Sequence, residues 1–580
     1  MRRSIATVCL SGTLEDKLAA AAAAGFDGVE IFENDLVVSP HSPAEIGRRC
    51  ADLGLSVDLY QPFRDFEAVP PDVLAANLRR AERKFDVMEQ LGADTMLVCS
   101  SVSPDAVDDD DLAAEQLRLL AERAGARGLR IAYEALAWGR FVDTYDHSWR
   151  IVRRGDHPAL GVCLDSFHVL SRGTDLAAIR TIPGEKIFFL QLADAPRLHM
   201  DVLQWSRHHR LFPGQGAFDL TTFLGHVLST GYAGPLSLEV FNDVFRQSDP
   251  WRAAVDAMRS VLLLEEDRLP PAPALTGHAF TELEVSGPEL AEALSAMGFT
   301  HAGQHRTKPV QLWRQGGARV LLNEGSGQIS ALAVESADPA ASQARAAALH
   351  SPALTDVSLP GVAAPDGTAV FFCGNGWLED FPATGAPEDA GAGITGTDHV
   401  SLTQPFDNFD EAALFYRSVL GLQPELPTEF AAPFGLVRSR AVSNAARDVR
   451  ISLNVALLRR GGWAPGVPEP QHLAFTSEDV LASARQMHER GAPLLRIPDN
   501  YYDDLDARLA PPPELLAALR KYSVLYDRDE GGEFLHFYTR VLGSRVFFEV
   551  VQRIGNYAGY GAANAPVRMA AHRRLRLAGG

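Results

Sequence analysis

The sequence predicts an α/β barrel followed by a second, α+β domain, and three observations lead there. Between Ser4 and about Leu264, short β-branched runs alternate with alanine-rich helical patterns through eight rounds, the rhythm of a parallel α/β fold. From Arg268 to Gly277 three prolines break that rhythm as a semi-rigid linker does. Beyond the linker the order becomes strand, helix, then several strands, and comparable units recur from Ile329, Thr397 and Gln471.

The strands expected in the first half are Ser4–Cys9, Gly28–Phe32, Ser56–Gln61, Thr95–Cys99, Arg130–Glu134, Leu160–Asp165, Ile187–Ala193 and Pro235–Val240. Helical patterns lie between them, among them Leu14–Ala24, Pro43–Leu53, Pro71–Leu91, Leu112–Ala126 and Leu220–Ser229. Eight such units in about 260 residues match a closed (β/α)8 barrel. An open doubly wound sheet would want a glycine-rich phosphate loop after the first strand, and Ser11-Gly12-Thr13 is not one. In the second half, strands are expected at Ala279–Val285, Val310–Trp313 and Arg319–Leu322, with helices at Pro288–Met297 and Phe409–Leu420. Pro382–Gly396, rich in Gly, Ala and Pro, reads as a second linker. The domains are thus placed at 1–267 and 277–560, and 561–580, with Arg568, Arg573, Arg574 and Arg576, reads as a solvated basic tail.

Composition bounds the function. With 580 residues, 46% of them hydrophobic and 22% charged, the chain can bury sizeable cores. A formal net charge of -20 argues against nucleic acid and anionic membrane as partners. It leaves room for a small anionic substrate held by local arginines. Five cysteines without a CxxC pair speak against a disulfide framework or a structural zinc site. Met1-Arg2-Arg3 is followed by too short an apolar run for a signal peptide, and no stretch has the apolar length to span a bilayer. A cytoplasmic setting is the expectation.

Chemistry in a barrel is expected where strands end. Glu134, Asp165 and Glu239 end the fifth, sixth and eighth strands, and Gln191 lies in the seventh; each is a polar residue within an apolar run. Three carboxylates and an amide oxygen suit a hard divalent cation such as Mg2+ or Mn2+. His168, three residues after Asp165, is expected in the loop beside that cation; His199, His208 and His209 are less well placed. Arg64, after the third strand, and Arg210, with Ser206 and Arg207 in the loop after the seventh, offer a grip for an anion.

These residues carry a resemblance. Residues 1 to about 265 resemble the sugar-phosphate isomerase (xylose isomerase-like) barrels, and Gly25-Phe-Asp-Gly-Val-Glu-Ile-Phe-Glu-Asn-Asp35 with Gln61-Pro-Phe-Arg-Asp-Phe66 resemble bacterial 3-dehydroshikimate dehydratases. The resemblance implies a divalent metal (Mg2+, Mn2+ or Co2+) on Glu134, Asp165, Gln191 and Glu239, and substrate binding or catalysis at His168, Arg64, Ser206 and Arg210. It implies dehydration of 3-dehydroshikimate to protocatechuate through a metal-stabilised enediolate, with His168 as base and Glu134 or Glu239 assisting the leaving group.

In the second half, His399 and His472 on separate strands with Glu549 on the late strand Arg545–Gln552 make a two-histidine, one-carboxylate set typical of non-haem Fe(II) oxygenases. Residues 277 to about 560 resemble the vicinal oxygen chelate superfamily, and Phe547-Phe-Glu-Val-Val-Gln-Arg553 resembles 4-hydroxyphenylpyruvate dioxygenase in particular. That implies βαβββ modules and a second metal, Fe2+ or Mg2+, on His399, His472 and Glu549. Two departures stand out: His536 replaces a glutamine of that family, and Gly559-Tyr-Gly-Ala-Ala-Asn-Ala-Pro566 lacks its pocket phenylalanine. The expected activity is therefore the lyase reaction of the barrel. A dioxygenase acting on a 2-oxo acid or aromatic ring, and a sugar isomerase or epimerase, are the competing expectations. The second domain is expected to bind metal and to stabilise the barrel or support a homo-oligomer.

Overall fold

The structure is a computed structural model describing residues 1–355, 357–386, 391–432, 435–457, 470–543 and 545–578. It divides into two compact units, Met1–Leu269 and Pro270–Gly580.

The first unit is a closed barrel of eight parallel strands: β1 Arg3–Ala6, β2 Gly28–Phe32, β3 Ser56–Phe63, β4 Thr95–Cys99, β5 Arg130–Glu134, β6 Leu160–Asp165, β7 Ile187–Leu192 and β8 Leu236–Leu238. Ser4 pairs with both Gly28 and Ser237, which closes the ring. The helices start where the sequence supplies caps: Thr13 with Asp16, and Ser42 with Glu45, form reciprocal capping boxes, the second reinforced by Pro43 in the first turn. Apolar faces of the helices cover the strands; Phe85, Leu117, Ile151, Phe223 and Val261 are all fully buried.

Register sets the site. Cys99 pairs with Glu134, Asp165 with Gln191, and Gln191 with Ser237, so the polar residues at or near the strand ends converge at one end of the barrel. Two local expectations need correction. His168 lies in a helix, Ser166–Arg172, not in a loop, because the Asp165 carboxylate caps it by accepting from the backbone N–H groups of Phe167 and His168. Ser206, Arg207 and His208 likewise belong to a helix, Val202–His208, capped by Asp201.

The second unit holds two sheets. In the first the strand order is Thr300–Gln304, Gln311–Gln315, Ala318–Glu324, Leu275–Val285, Ile329–Ser336, Ala369–Cys373 and Gly361–Ala363. In the second, strands Ile394–Thr403 and Gln471–Ser477 pair antiparallel at the centre, with Val546–Gly555 parallel to the latter. Leu275–Val285 and Ile329–Ser336 form the equivalent antiparallel pair in the first sheet, so each sheet is two modules joined at their first strands. The expected basic tail is instead a helix, Ala565–Ala578, whose Met569, Ala571 and His572 are buried while Arg573, Arg574 and Arg576 face outward. Its last two residues, and residues 387–390 of the expected second linker, lie outside the described residues.

Cys9, Cys50, Cys99, Cys163 and Cys373 are all free and buried. Among the described residues, no helix is long and apolar enough to cross a membrane.

Candidate functional site

At the C-terminal end of the barrel strands, a cavity is lined by Gln61, Arg64, Glu134, Trp138, His168, Arg207, Arg210 and Glu239. Glu134, Asp165 and His168 each offer a ligand atom, all within 4.8 Å of one another. Glu239 joins them through Arg210, whose Nη1 donates to Asp165 Oδ2 at 2.6 Å and to Glu239 Oε2 at 3.1 Å. Glu134, Asp165, His168, Glu239 and Arg210 are therefore close together, while Gln191 pairs in register with Asp165 and does not line the cavity.

Electrostatics in this pocket are dominated by buried negative charge. Burial, with the charges of Asp165 and Glu239, pushes the Glu134 carboxyl well above the ordinary range, and burial raises Glu239 to about 7 against the pull of Arg210. Burial also opposes ionisation of Asp165, but the charge and hydrogen bond of the Arg210 guanidinium, with the backbone N–H of Phe167, outweigh it and hold that carboxyl low. Glu134 Oε1 is buried without a hydrogen-bond partner. Three carboxylates sharing one guanidinium, with an orphaned oxygen among them, are a donor set that fits a divalent cation.

His168 is buried, and burial lowers it to about 3 despite Asp165, so its ring is neutral. Two N–H donors face that ring: Ala137 N at 3.1 Å from Nδ1 and Arg210 Nη2 at 3.3 Å from Nε2. Both contacts would be lost to an imidazolium, which agrees with the direction of the shift.

Arg210 is 1% exposed, and its remaining donors go to Ser206 Oγ, from Nε at 3.1 Å and Nη2 at 2.9 Å. Arg210 and Ser206 thus serve each other and the carboxylates, whereas Arg64 is a half-buried guanidinium lining the cavity. Arg64 sits at the head of a constrained segment: Asp65 and Ala68 have φ of 57° and 55°. Glu67 anchors that segment by accepting from Ser101 N at 2.6 Å and Tyr133 Oη at 2.9 Å. Among the less well-placed histidines, His208 pairs with Asp243 through Nδ1 at 2.9 Å.

Sequence reasoning missed Glu30, Gln61 and Glu67. All three are buried polar residues within or after apolar strands, the same signal that singled out Glu134.

In the second unit, His399 pairs across to Ala474 and Ala474 to Glu549, while His472 lies two residues from Ala474 and so on the same face. His399 Nε2 is 3.1 Å from His472 Nε2, and Glu549 Oε2 is 3.4 Å and 3.1 Å from those two nitrogens. Ligands at right angles around an ion, with bonds of about 2.1 Å, stand roughly 3 Å apart, so these atoms are spaced as cis ligands. Outer partners fix two of the three. Asp398 Oδ1 accepts from His399 Nδ1 at 2.7 Å and is held by Arg553, and His536 Nδ1 is 2.7 Å from Glu549 Oε1. Gly561 has φ of 61°, and a Cβ there would stand 2.8 Å from His536 Cε1, so the glycine permits the close packing of the histidine that replaces glutamine.

The sequence comparisons agree with this two-part architecture. Residues 18–261 match the family described as xylose isomerase-like TIM barrel. Residues 272–354 match the N-terminal family of hydroxyphenylpyruvate dioxygenase, and residues 396–507 the glyoxalase/bleomycin resistance protein/dioxygenase superfamily. A solved structure described as a xylose isomerase-like TIM barrel/4-hydroxyphenylpyruvate dioxygenase fusion protein superposes with a TM-score of 0.92 at 45% identity, covering 99% of this chain and 100% of that one. The class is therefore a xylose isomerase-like barrel fused to a vicinal oxygen chelate domain. Within it, 3-dehydroshikimate dehydratases of Pseudomonas putida and Pseudomonas aeruginosa are each 46% identical, covering 99% of both chains. This chain belongs to the 3-dehydroshikimate dehydratase family. A 4-hydroxyphenylpyruvate dioxygenase of Legionella pneumophila is 26% identical over 50% of this chain and 91% of its own.

Proposed function

We infer that the barrel dehydrates 3-dehydroshikimate to protocatechuate, with the proton handled at His168. The observation that carries this reading is a buried imidazole, lowered to about 3 by burial and so neutral, facing a cavity also lined by Glu134, Glu239 and the half-buried Arg64, with Asp165 beside them. Glu134, Asp165, Gln191 and Glu239 would hold a divalent ion, Mg2+, Mn2+ or Co2+. When bound, that ion supplies positive charge against which negative charge at the substrate's keto and adjacent hydroxyl oxygens can build. Arg64 pairs with the substrate carboxylate by charge-assisted hydrogen bonds. Arg210, locked to Ser206, keeps Asp165 and Glu239 apart from that carboxylate's charge.

His168 takes the proton from the hydroxylated carbon next to the ketone at Nε2, holding its own proton at Nδ1 and giving up the contact from Ala137. The same proton leaves with the β-hydroxyl as water, and the dienone that remains enolises, one proton leaving the ring CH2 and one reaching the keto oxygen, so that the ring aromatises. Purified protein given 3-dehydroshikimate with Mg2+ or Mn2+ should develop the ultraviolet absorbance of protocatechuate without consuming oxygen. His168→Ala should abolish turnover and leave metal content nearly intact; an active variant would sink the assignment.

The Ala137 contact favours a second reading. With Ala137 N–H donating to Nδ1, the neutral ring carries its proton on Nε2 and donates a hydrogen bond to the departing hydroxyl, while Glu134 takes the α-proton and passes it to that hydroxyl, which leaves as water. Solvent exchange of the substrate's α-proton separates the two. Exchange that persists in His168→Ala without elimination supports the donor; loss of exchange supports the base. In the second unit, His399, His472 and Glu549 would hold Fe2+ or Mg2+, and the chain's dehydration chemistry does not require it.

A further inference from the structure

One buried carboxylate of the barrel is left unused by that chemistry. Glu30, on β2, has no exposed surface, and three donors converge on it. Gln191 Nε2 donates to Oε2 at 2.6 Å, Gln61 Nε2 donates to the same oxygen at 2.9 Å, and Ser237 Oγ donates to Oε1. The second N–H of Gln61 goes to Glu239 Oε1 at 2.9 Å. Glu30 thus stands directly behind Gln191, and behind Glu239 by way of Gln61.

A side-chain amide has an oxygen end and an NH2 end of almost equal shape, so packing alone does not choose which end faces a site. Here Glu30 chooses, because its Oε2 accepts from the amides of Gln191 and Gln61 and its Oε1 from Ser237 Oγ. With Glu30 behind it, Gln191 turns its NH2 toward the carboxylate and its Oε1 away, where only the thiol of Cys163, at 3.5 Å, claims it. The reversed amide would set a carbonyl against the carboxylate and an NH2 against a cation, two repulsions at once. We propose that Glu30 is a positioning residue that holds Gln191 with its oxygen free for a divalent cation, and thereby sets the barrel's affinity for that cation. The proposal rests on Gln191 being a ligand.

The test is calorimetric titration of the metal-free full-length protein with Mn2+, every sample carrying the C-terminal triad unchanged so that differences report the barrel. Glu30→Gln gives Gln191 a neighbour that can donate as well as accept, and should weaken Mn2+ binding about 10- to 100-fold, the usual effect of losing an orienting partner. Ser237→Ala removes a hydrogen bond to Glu30 without freeing the amide, and should bind Mn2+ as the wild type does. The double variant Glu30→Gln/Gln191→Glu should regain most of the affinity, because a carboxylate presents an oxygen whichever way it turns. Wild-type affinity in Glu30→Gln alongside weakened binding in Gln191→Ala would overturn the proposal and spare the ligand reading. Unchanged binding in Gln191→Ala would remove the ligand reading and the proposal with it. Equal losses in Glu30→Gln and Ser237→Ala, with no recovery in the double variant, would reduce Glu30 to packing. Circular dichroism of each metal-free variant separates lost affinity from lost fold.

Discussion

Arg210 Nη1 stands 2.6 Å from Asp165 Oδ2, and this ion pair sets a fixed positive charge among the buried carboxylates at the strand ends of the barrel. Removing one partner of such a pair leaves the other desolvated and unpaired, a loss of about 3–5 kcal/mol. Arg210→Ala should therefore lower the thermal midpoint of the metal-free protein sharply. A saturating divalent cation restores part of the missing charge, so Mn2+ should raise the midpoint of the variant more than that of the wild type. Equal Mn2+ shifts in both proteins would count against a cation seated among these carboxylates.

Arg64 lines the same cavity with its guanidinium open. If it holds the substrate carboxylate, Arg64→Ala should cost about 2 kcal/mol, or roughly 30-fold in kcat/KM, borne mainly by KM. Steady-state kinetics on 3-dehydroshikimate check this. A change confined to kcat would assign Arg64 another role.

Glu67 supplies a pH dependence away from the ligand set. Burial raises its carboxyl to about 7, against the backbone N–H of Ser101 and the hydroxyl of Tyr133. The folded protein keeps this proton where the unfolded chain, near 4.5, has lost it. The resulting stability is fully present below about pH 4.5 and is lost as the pH rises to about 7, a change on the order of 3 kcal/mol. Glu67→Gln has nothing to ionise, so its denaturation midpoint relative to the wild type should improve between pH 5 and pH 8. A constant difference across that range would refute the assignment.

The triad of the second unit should be separable from turnover. His399→Ala/His472→Ala removes two of three closely spaced ligand atoms. Metal analysis of the loaded protein should fall by one equivalent per chain while dehydration of 3-dehydroshikimate is unchanged. Loss of dehydration in a folded variant would tie the second site to the reaction.

Much of this architecture could be read in one dimension, for physical reasons. The buried strands Gly28–Phe32, Thr95–Cys99, Arg130–Glu134 and Leu160–Asp165 begin and end where their apolar runs do, because parallel strands covered on both faces are apolar throughout. A polar residue in such a run is costly, which is why Glu134, Asp165, Gln191 and Glu239 stood out. The same reasoning passed over Glu30, whose partners Gln61, Gln191 and Ser237 come from three other strands. Nor could linear spacing show that Arg210 would be consumed by Ser206, Asp165 and Glu239, since the residues it meets are fixed by barrel closure. The helix Ala565–Ala578 reads as a solvated tail in one dimension because its arginines dominate the sequence and its buried Met569, Ala571 and His572 are only sparsely apolar.

The five buried cysteines bear on how the enzyme survives its own product. Protocatechuate is a catechol, and catechols oxidise to quinones that alkylate thiolates. Burial pushes Cys50 and Cys373 up to about 12 and raises Cys9, Cys99 and Cys163 as well, so at neutral pH none of them is the reactive anion. A catalyst that releases a latent electrophile thus keeps every thiol it owns protonated and out of reach.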